Sequence, residues 1–175
     1  MPNRYIDFYP NTYYHIYNKS LTEDTVFHDH TCYKRFYDKM IQLWKDEFKK
    51  YSFDIAAYCL LPNHYHLVLI YTWKQDFDPI TSFMHRLQTS YSMYYNKRYK
   101  RKWPLFQWRF KAKPIQQESY LQECFVYVNF NAVKHWIVDD IKDWDYTSFH
   151  LLDNLDKKQY KSINKNIWIL NDLEF

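Results

Sequence analysis

Two mainly apolar runs separated by three residues constrain the fold of this chain more than any other feature. Residues 53–60 and 64–71 are rich in apolar side chains, and Leu61, Pro62 and Asn63 lie between them. Runs of this length and composition are typical of strands, and the Pro-Asn pair favours a turn. The sequence therefore predicts an antiparallel hairpin in the middle of a sheet.

Two histidines, His64 and His66, open the second of these strands. Side chains alternate along a strand, so we expect both imidazoles on the same face. Two neutral imidazoles side by side on a rigid strand make half of a metal site. The alternative is two unrelated histidines at the start of a strand, and spacing alone does not decide between them.

Hydrophobic periodicity predicts the other elements. The predicted strands are residues 13–18, 53–60, 64–71 and 109–113, and the predicted helices are residues 32–51, 81–95 and 119–136. Their order predicts an α+β fold, ferredoxin-like β-α-β-β-α-β, with a central antiparallel sheet, helices on one face and an added C-terminal helix. We expect one domain over residues 1–150, followed by a tail, 151–175, that packs on the domain or trails it.

A basic stretch follows the second predicted helix. Residues 97–113 hold eight of the 24 lysines and arginines and no acidic residue, with aromatic residues interleaved. Cations neutralise phosphates and flat rings stack on unpaired bases, so the stretch favours nucleic-acid binding. The alternative is a solvated basic loop followed by an aromatic core strand. The candidate contacts are Lys97, Arg98, Lys100, Arg101, Lys102, Trp103, Trp108, Arg109 and Lys111, and on a strand Arg109, Lys111 and Lys113 would share one face.

Composition excludes several function classes. The chain has no glycine, and P-loops and Rossmann-type nucleotide sites need glycine. The three scattered cysteines form no C-x-x-C motif, which is typical of a protein of the reducing cytosol. The N-terminus lacks a signal-peptide pattern, and no apolar run is long enough to cross a bilayer. We therefore expect a cytoplasmic protein with no membrane partner.

Three further histidines allow weaker interpretations. His28 and His30 form a second H-x-H pair, but no apolar strand follows them. We interpret this pair as part of a solvated loop. His15 lies in the first predicted strand, and we interpret it as a strand histidine with a hydrogen-bonded ring.

Five short motifs keep a common order over roughly residues 13–150. They are residues 14–18 (YHIYN), 61–67 (LPNHYHL), 105–107 with 109–112 (LFQ and RFKA), 127–131 (YVNFN) and 144–149 (WDYTSF). In this order they resemble the single-tyrosine HUH transposases, and specifically the REP-associated tyrosine transposases. The chain departs from that family at Trp108 and Trp136, where glycine is usual, and at Ala132, where proline is usual. We therefore expect the shape of the DNA groove around Trp108 and the end of the third helix to differ from those of the family.

The resemblance implies a site and a mechanism. Tyr127 would attack a DNA phosphate, giving a 5′-phosphotyrosine and a free 3′-hydroxyl, and strands could be rejoined without ATP. His64, His66 and Asn131 would hold one divalent metal ion, Mg²⁺ or Mn²⁺. Because hard Mg²⁺ prefers oxygen ligands, manganese should work at least as well. The implied substrate is single-stranded DNA beside a hairpin, and the implied assembly is a monomer or a homodimer.

Two other functions remain open from the residues. A domesticated hairpin DNA-binding protein could use the same basic surface without cleavage, although a replaced Tyr127 or a broken histidine pair would be expected for it. A metal-dependent hydrolase of small phosphates is the third hypothesis. It leaves the acid-free basic stretch unexplained.

Overall fold

In the computed structural model, which describes residues 7–22, 24–48, 53–72, 78–107 and 109–151, the predicted strands form one four-stranded sheet. The strands are β1 (Thr12–Lys19), β2 (Phe53–Leu61), β3 (His64–Tyr71) and β4 (Lys111–Ile115). The helices are α1 (His30–Leu43, extended by a π-helical turn at Trp44–Phe48), α2 (Pro79–Arg98), α3 (Glu118–Asn129) and α4 (Asn131–Lys134), with 3₁₀ turns at Ile141–Asp143 and Ser148–Leu151.

The strand order is β2-β3-β1-β4, and each neighbouring pair is antiparallel. Together with the chain order β1-α1-β2-β3-α2-β4, this is the ferredoxin-like arrangement, so the predicted α+β fold is confirmed. The predicted hairpin is also confirmed, because β2 and β3 pair along their whole length up to Leu61 and His64, with one irregularity between Ile55 and Ala57. The strand carrying the two histidines is therefore internal to the sheet.

Alternation along the strands divides the buried side chains into two cores. Tyr14, Ile16 and Tyr65 lie on the face that packs against α1 and α2. Cys59 and Val68 lie on the opposite face, which packs against α3 and α4. Helices thus cover both faces, and the added C-terminal helix is the element that closes the second face.

The first two helices begin at capped residues. The Asp29 carboxylate accepts a hydrogen bond from the Cys32 backbone N–H at 2.9 Å, so α1 starts two residues earlier than predicted and includes His30. The Asp78 carboxylate caps α2 in the same way, with Pro79 in the first turn, where its missing N–H costs nothing. This helix continues to Arg98, so Lys97 and Arg98 lie in its last turn and not in a loop.

Two predicted boundaries were wrong in the C-terminal half. The predicted strand 109–113 lies instead at Lys111–Ile115, which leaves Arg109 outside the sheet. The predicted helix 119–136 is interrupted at Phe130, where ψ is 12°, and resumes as the short helix α4. Residues 152–175 lie outside the described residues, so the prediction for the tail stays a prediction. Within the part of the chain that the structure describes, no helix has the length and apolar character needed to span a membrane.

Candidate active site

The strand β3 places His64 and His66 on the face covered by α3, as the alternation predicts. Their ring centroids lie 5.2 Å apart and the ring planes are nearly perpendicular. Their neighbours Tyr65 and Leu67 point into the other core. The two imidazoles therefore sit side by side on an internal strand, which restricts their movement.

A third imidazole holds His66 in place. His15 Nε2 lies 2.9 Å from His66 Nδ1, and both rings are buried. Burial lowers the pKa of His66 well below its usual value and lowers the pKa of His15 to about 3. Both rings are neutral at pH 7. Because Nδ1 of His66 is engaged, its Nε2 is the nitrogen that remains for a ligand, and the interpretation of His15 as a hydrogen-bonded strand histidine is confirmed.

A neighbouring amide orients His64. The Asn63 Oδ1 atom lies 2.6 Å from His64 Nδ1, so Nδ1 donates the hydrogen bond and Nε2 keeps its lone pair. Burial, with a smaller contribution from nearby His135, lowers the pKa of His64 to about 4. Neutral His64 can therefore act as a ligand at neutral pH.

The helix α3 brings Tyr127 against these histidines. Its ring meets the rings of His66 and His15 edge-on, with centroid distances of 5.4 and 5.8 Å. Burial raises the pKa of the Tyr127 phenol, and the nearby Asn131 side chain opposes that shift. The predicted nucleophile and the predicted histidine pair thus meet in one place.

The amide of Asn131 is fully buried, at 0% exposure, at the start of α4. Its Nδ2 atom donates to the Tyr127 carbonyl at 3.5 Å, and its side chain also interacts with His64. Among the described residues, its Oδ1 atom has no hydrogen-bond partner. A buried amide oxygen without a partner is costly unless something else binds it, and a metal ion is one such partner. Asn131 therefore meets Tyr127 across the helix break, and not along one continuous helix as predicted.

A network of hydrogen bonds fixes this helix break. Asn129 Nδ2 donates to the Phe125 carbonyl at 2.9 Å, and its Oδ1 accepts from Ser148 Oγ at 2.7 Å. Thr147 Oγ1 donates to the Asn129 carbonyl at 3.0 Å, while the Tyr58 backbone N–H of β2 donates to Ser148 Oγ at 2.9 Å. The segment bearing Tyr127 and Asn131 is thereby tied to the strand next to the one bearing the histidines.

Two residues of the site were missed as candidates from the sequence. His135 packs edge-on against His64, with ring centroids 4.9 Å apart, and Lys134 Nζ lies 4.6 Å from the centre of the Tyr127 ring. The four-residue spacing of Tyr127, Asn131 and His135 was a usable signal for His135, because residues four apart share a helix face.

A cavity of about 380 Å³ lies in front of the histidines and the tyrosine. Lys19 and Lys111 are among the residues that line it, and no Asp or Glu is among the described lining residues. A cavity with this lining suits an anion. The lining residues are Tyr17, Asn18, Lys19, Asn63, His64, His66, Gln107, Lys111, Tyr127 and His135.

The predicted DNA contacts fall into three groups. Lys111 lies at the cavity, on the same face of the sheet as the histidines. Arg109 precedes β4, and Trp108 lies outside the described residues. The remaining candidates lie at the end of α2 and just beyond it, away from the lining of the cavity, and they are Lys97, Arg98, Lys100, Arg101, Lys102 and Trp103.

Within that last group the side chains differ in availability. Arg98 pairs with the Asp29 carboxylate at 2.6 Å and donates to the Tyr94 hydroxyl at 2.6 Å. Arg101 lies over the Tyr95 ring. The Trp103 ring, at 72% exposure, is open to solvent. Trp103 is therefore available to a base, whereas Arg98 is committed to contacts within the protein.

The second H-x-H pair lies away from the site. His28 Nε2 lies 2.7 Å from the Tyr95 hydroxyl, and His30 Nδ1 lies 2.9 Å from the Tyr146 hydroxyl. Both rings are exposed. Among the described residues, no group of three or more His, Cys, Asp or Glu side chains is arranged to hold a metal ion. The Asn131 amide oxygen is a further candidate ligand beside His64 and His66.

Comparisons with known proteins show the family to which the chain belongs. A protein of Haemophilus influenzae named as a REP-associated tyrosine transposase is 32% identical over 114 residues, which cover 61% of this chain and 65% of that relative. A solved REP-associated tyrosine transposase, bound to a REP hairpin, superposes with a TM-score of 0.70 at 19% identity and covers 86% of this chain and 84% of its own. The resemblance predicted from the motifs is confirmed. The family model described as "Transposase IS200 like" matches residues 8–131, and the chain therefore belongs to the IS200-like transposase family.

Proposed function

We propose that this transposase nicks single-stranded DNA at or beside hairpins and transfers the strand through a 5′-phosphotyrosine on Tyr127. One observation carries the proposal: His64, His66 and Tyr127 line one cavity whose described lining is basic and free of carboxylates, and the buried Asn131 amide lies against Tyr127 and His64. The hairpin substrate is inferred from the relative that was solved with a REP hairpin.

The donor atoms fit a divalent metal ion. His64 and His66 are neutral, each has its Nδ1 atom engaged by a neighbour, and the buried Oδ1 atom of Asn131 has no partner among the described residues. We infer that the two Nε2 atoms and this oxygen hold the ion. When bound, a divalent ion polarises the scissile phosphate and offsets its growing negative charge. Two imidazoles and an amide favour Mn²⁺ at least as much as Mg²⁺.

The tyrosine supplies the covalent step. A bond forms between Tyr127 Oη and the phosphorus atom while the bond from phosphorus to the 3′ oxygen breaks. The phenol loses one proton and the leaving 3′ oxygen gains one, so the proton count is unchanged. Because the phosphodiester is exchanged and not hydrolysed, a second 3′-hydroxyl can reverse the step and join a new strand.

The charged surface positions the DNA backbone. Lys19 and Lys111 at the cavity contact phosphates next to the scissile one, and the basic end of α2 follows the strand further away. The exposed Trp103 ring offers a stacking surface for an unpaired base.

The test is an adduct assay on the purified chain. It is incubated with labelled hairpin DNAs from the flanks of its own gene, in Mn²⁺ or Mg²⁺, and separated under denaturing conditions. We expect a protein–DNA adduct with the unmodified chain and none with Tyr127→Phe or His64→Ala. His28→Ala is the matched control, because it changes the H-x-H pair that lies outside the site, and it should leave the adduct unchanged.

Two other results would overturn the proposal. Tight hairpin binding without an adduct in either metal would make the chain a hairpin-binding protein. An adduct that persists in Tyr127→Phe would place the nucleophile elsewhere.

A further inference from the structure

Lys134 lies directly over the ring of the proposed nucleophile. Its Nζ atom is 4.6 Å from the centre of the Tyr127 ring, the shortest cation-to-ring distance among the described residues. It is the last residue of α4, three positions after Asn131, so one helical turn carries both side chains. The hydrogen bonds that fix the helix break therefore also fix the position of Lys134.

The charge of Lys134 is not balanced within the described part of the protein. It forms no ion pair with the described carboxylates, although its side chain is half-buried. The neighbouring cavity has no carboxylate in its described lining either. By contrast, Arg98, which also lies over a tyrosine ring, is paired with Asp29. A half-buried ammonium group without a carboxylate is costly unless an anion arrives beside it.

Because the ammonium group lies over the ring, its effect on the ground state should differ from its effect on the transition state. Before reaction it faces a neutral phenol, and the attraction is only that of a cation to the ring quadrupole. As the phenol loses its proton and attacks phosphorus, negative charge grows on the ring oxygen and on the phosphate. An ammonium that is already in place then stabilises the transition state more than the ground state, which is the condition for catalysis.

We propose that Lys134 is a catalytic residue of the strand-cleavage step, stabilising the negative charge that develops on the Tyr127 oxygen and the attacked phosphate. This inference rests on the proposed function. Lys134 keeps its proton throughout and forms no bond. Its contribution is electrostatic, so it depends on the positive charge and not on the shape of the side chain.

The test separates the cleavage rate from DNA binding. Single-turnover adduct formation is followed at saturating hairpin DNA in Mn²⁺, and hairpin affinity is measured separately in Tyr127→Phe background proteins. We expect Lys134→Met, which keeps the apolar stem, to slow adduct formation about 100-fold, the size of effect seen when one stabilising group is removed. Its hairpin affinity should change less than about threefold, and Lys134→Arg should recover most of the rate.

The matched comparison is Lys111→Met. Lys111 also lies over a tyrosine ring, that of Tyr17 at 5.7 Å, and it lines the cavity in front of the histidines, but it is carried by β4 and not by α4. We expect this variant to weaken binding more than it slows the saturated rate. Lys134→Gln is measured alongside, so that a folding defect of one variant does not decide the result.

The outcomes distinguish the two claims. If the unmodified chain forms no adduct, the proposed function fails and the role of Lys134 fails with it. If the adduct forms but Lys134→Met and Lys134→Gln react at the unmodified rate, only the role of Lys134 is wrong. A Lys134→Arg variant as slow as Lys134→Met would also overturn it, because the charge would then not be the cause.

Discussion

The two faces of the sheet use the same strands for different purposes. On the α1/α2 face, Phe36 and Tyr65 pack ring against ring with their centroids 5.2 Å apart, and the Tyr65 hydroxyl accepts a hydrogen bond from Gln88 Nε2. On the α3/α4 face, His15 and His66 meet the ring of the Tyr127 phenol, and the nearby buried Asn131 Oδ1 atom has no hydrogen-bond partner among the described residues. The first face is a core of packed side chains, whereas the second face combines a smaller core with the polar groups of the proposed site.

The difference between the faces shows how one strand can contribute both to the packed core and to the proposed site. Alternation in β3 sends Tyr65 to the first face and His66 to the second, so packing of one immobilises the other. The histidines need no rigid loop of their own. Substitutions on the two faces should therefore separate loss of stability from loss of chemistry.

Phe36→Ala and Tyr127→Phe should differ most in how they divide their effects between stability and adduct formation. Phe36 is fully buried, so its truncation should lower the free energy of unfolding by about 3–5 kcal/mol. Tyr127→Phe removes one hydroxyl and keeps the ring, so it should cost about 1 kcal/mol or less while abolishing the adduct. Urea unfolding of both variants checks this, and equal losses of stability would contradict the division between the faces.

Substitutions at the helix break test whether its hydrogen bonds position the residues of the proposed site. Asn129→Ala removes the acceptor of the 2.7 Å bond from Ser148 Oγ and the donor to the Phe125 carbonyl, and this should cost about 1–3 kcal/mol of unfolding free energy. Because Asn129 fixes the segment bearing Tyr127 and Asn131, the saturated adduct rate should fall as well. Ser148→Ala removes the other half of the same bond and should have a similar effect. An unchanged rate in both folded variants would mean that the network does not position the site.

A smaller effect is expected from His15, which touches His66 and not the cavity. Partners that orient a metal-binding histidine contribute about 10- to 100-fold to metal affinity, and we expect about 10-fold for His15→Ala because the partner here is a neutral ring. Calorimetric titration with Mn²⁺ measures this, and His15→Gln, which restores an acceptor, should recover part of the loss. Equal Mn²⁺ affinity in all three proteins would remove His15 from the site.

The smallest effect concerns two predicted DNA contacts. Lys111→Ala should weaken hairpin binding and lower the slope of log affinity against log salt by about 1. Arg98→Ala should leave both nearly unchanged, because Arg98 is paired with Asp29 and Tyr94. Binding measured at several salt concentrations separates the two, and an equal slope change for Arg98→Ala would show that its ion pair opens to bind DNA.

The sequence was most informative where structure is local. The strand His64–Tyr71 has the predicted boundaries and faces, because a period of two and a Pro-Asn turn are properties of neighbouring residues. The H-x-H spacing alone would have treated His28 and His30 as equal to His64 and His66. Only the strand that follows the second pair distinguished the two.

The sequence was least informative where distant residues decide the structure. The break at Phe130 depends on Asn129 bonding to Ser148, 19 positions away, and no helical pattern contains that information. The ion pair of Arg98 with Asp29, 69 positions away, is likewise not contained in any local pattern. The sequence did not predict Lys134 as a site residue, because its position over Tyr127 requires the break that the pattern could not predict.

The most direct test of the account is to identify the residue that carries the DNA. The adduct formed in Mn²⁺ is cleaved by a lysine-specific protease and the DNA-linked peptide is sequenced by mass spectrometry. Cleavage after Lys134 gives a fragment that contains both Tyr120 and Tyr127, so the neighbouring tyrosine serves as an internal control. The account predicts the nucleotide on Tyr127 alone, and a nucleotide on Tyr120, or on any other of the 19 tyrosines, would contradict it.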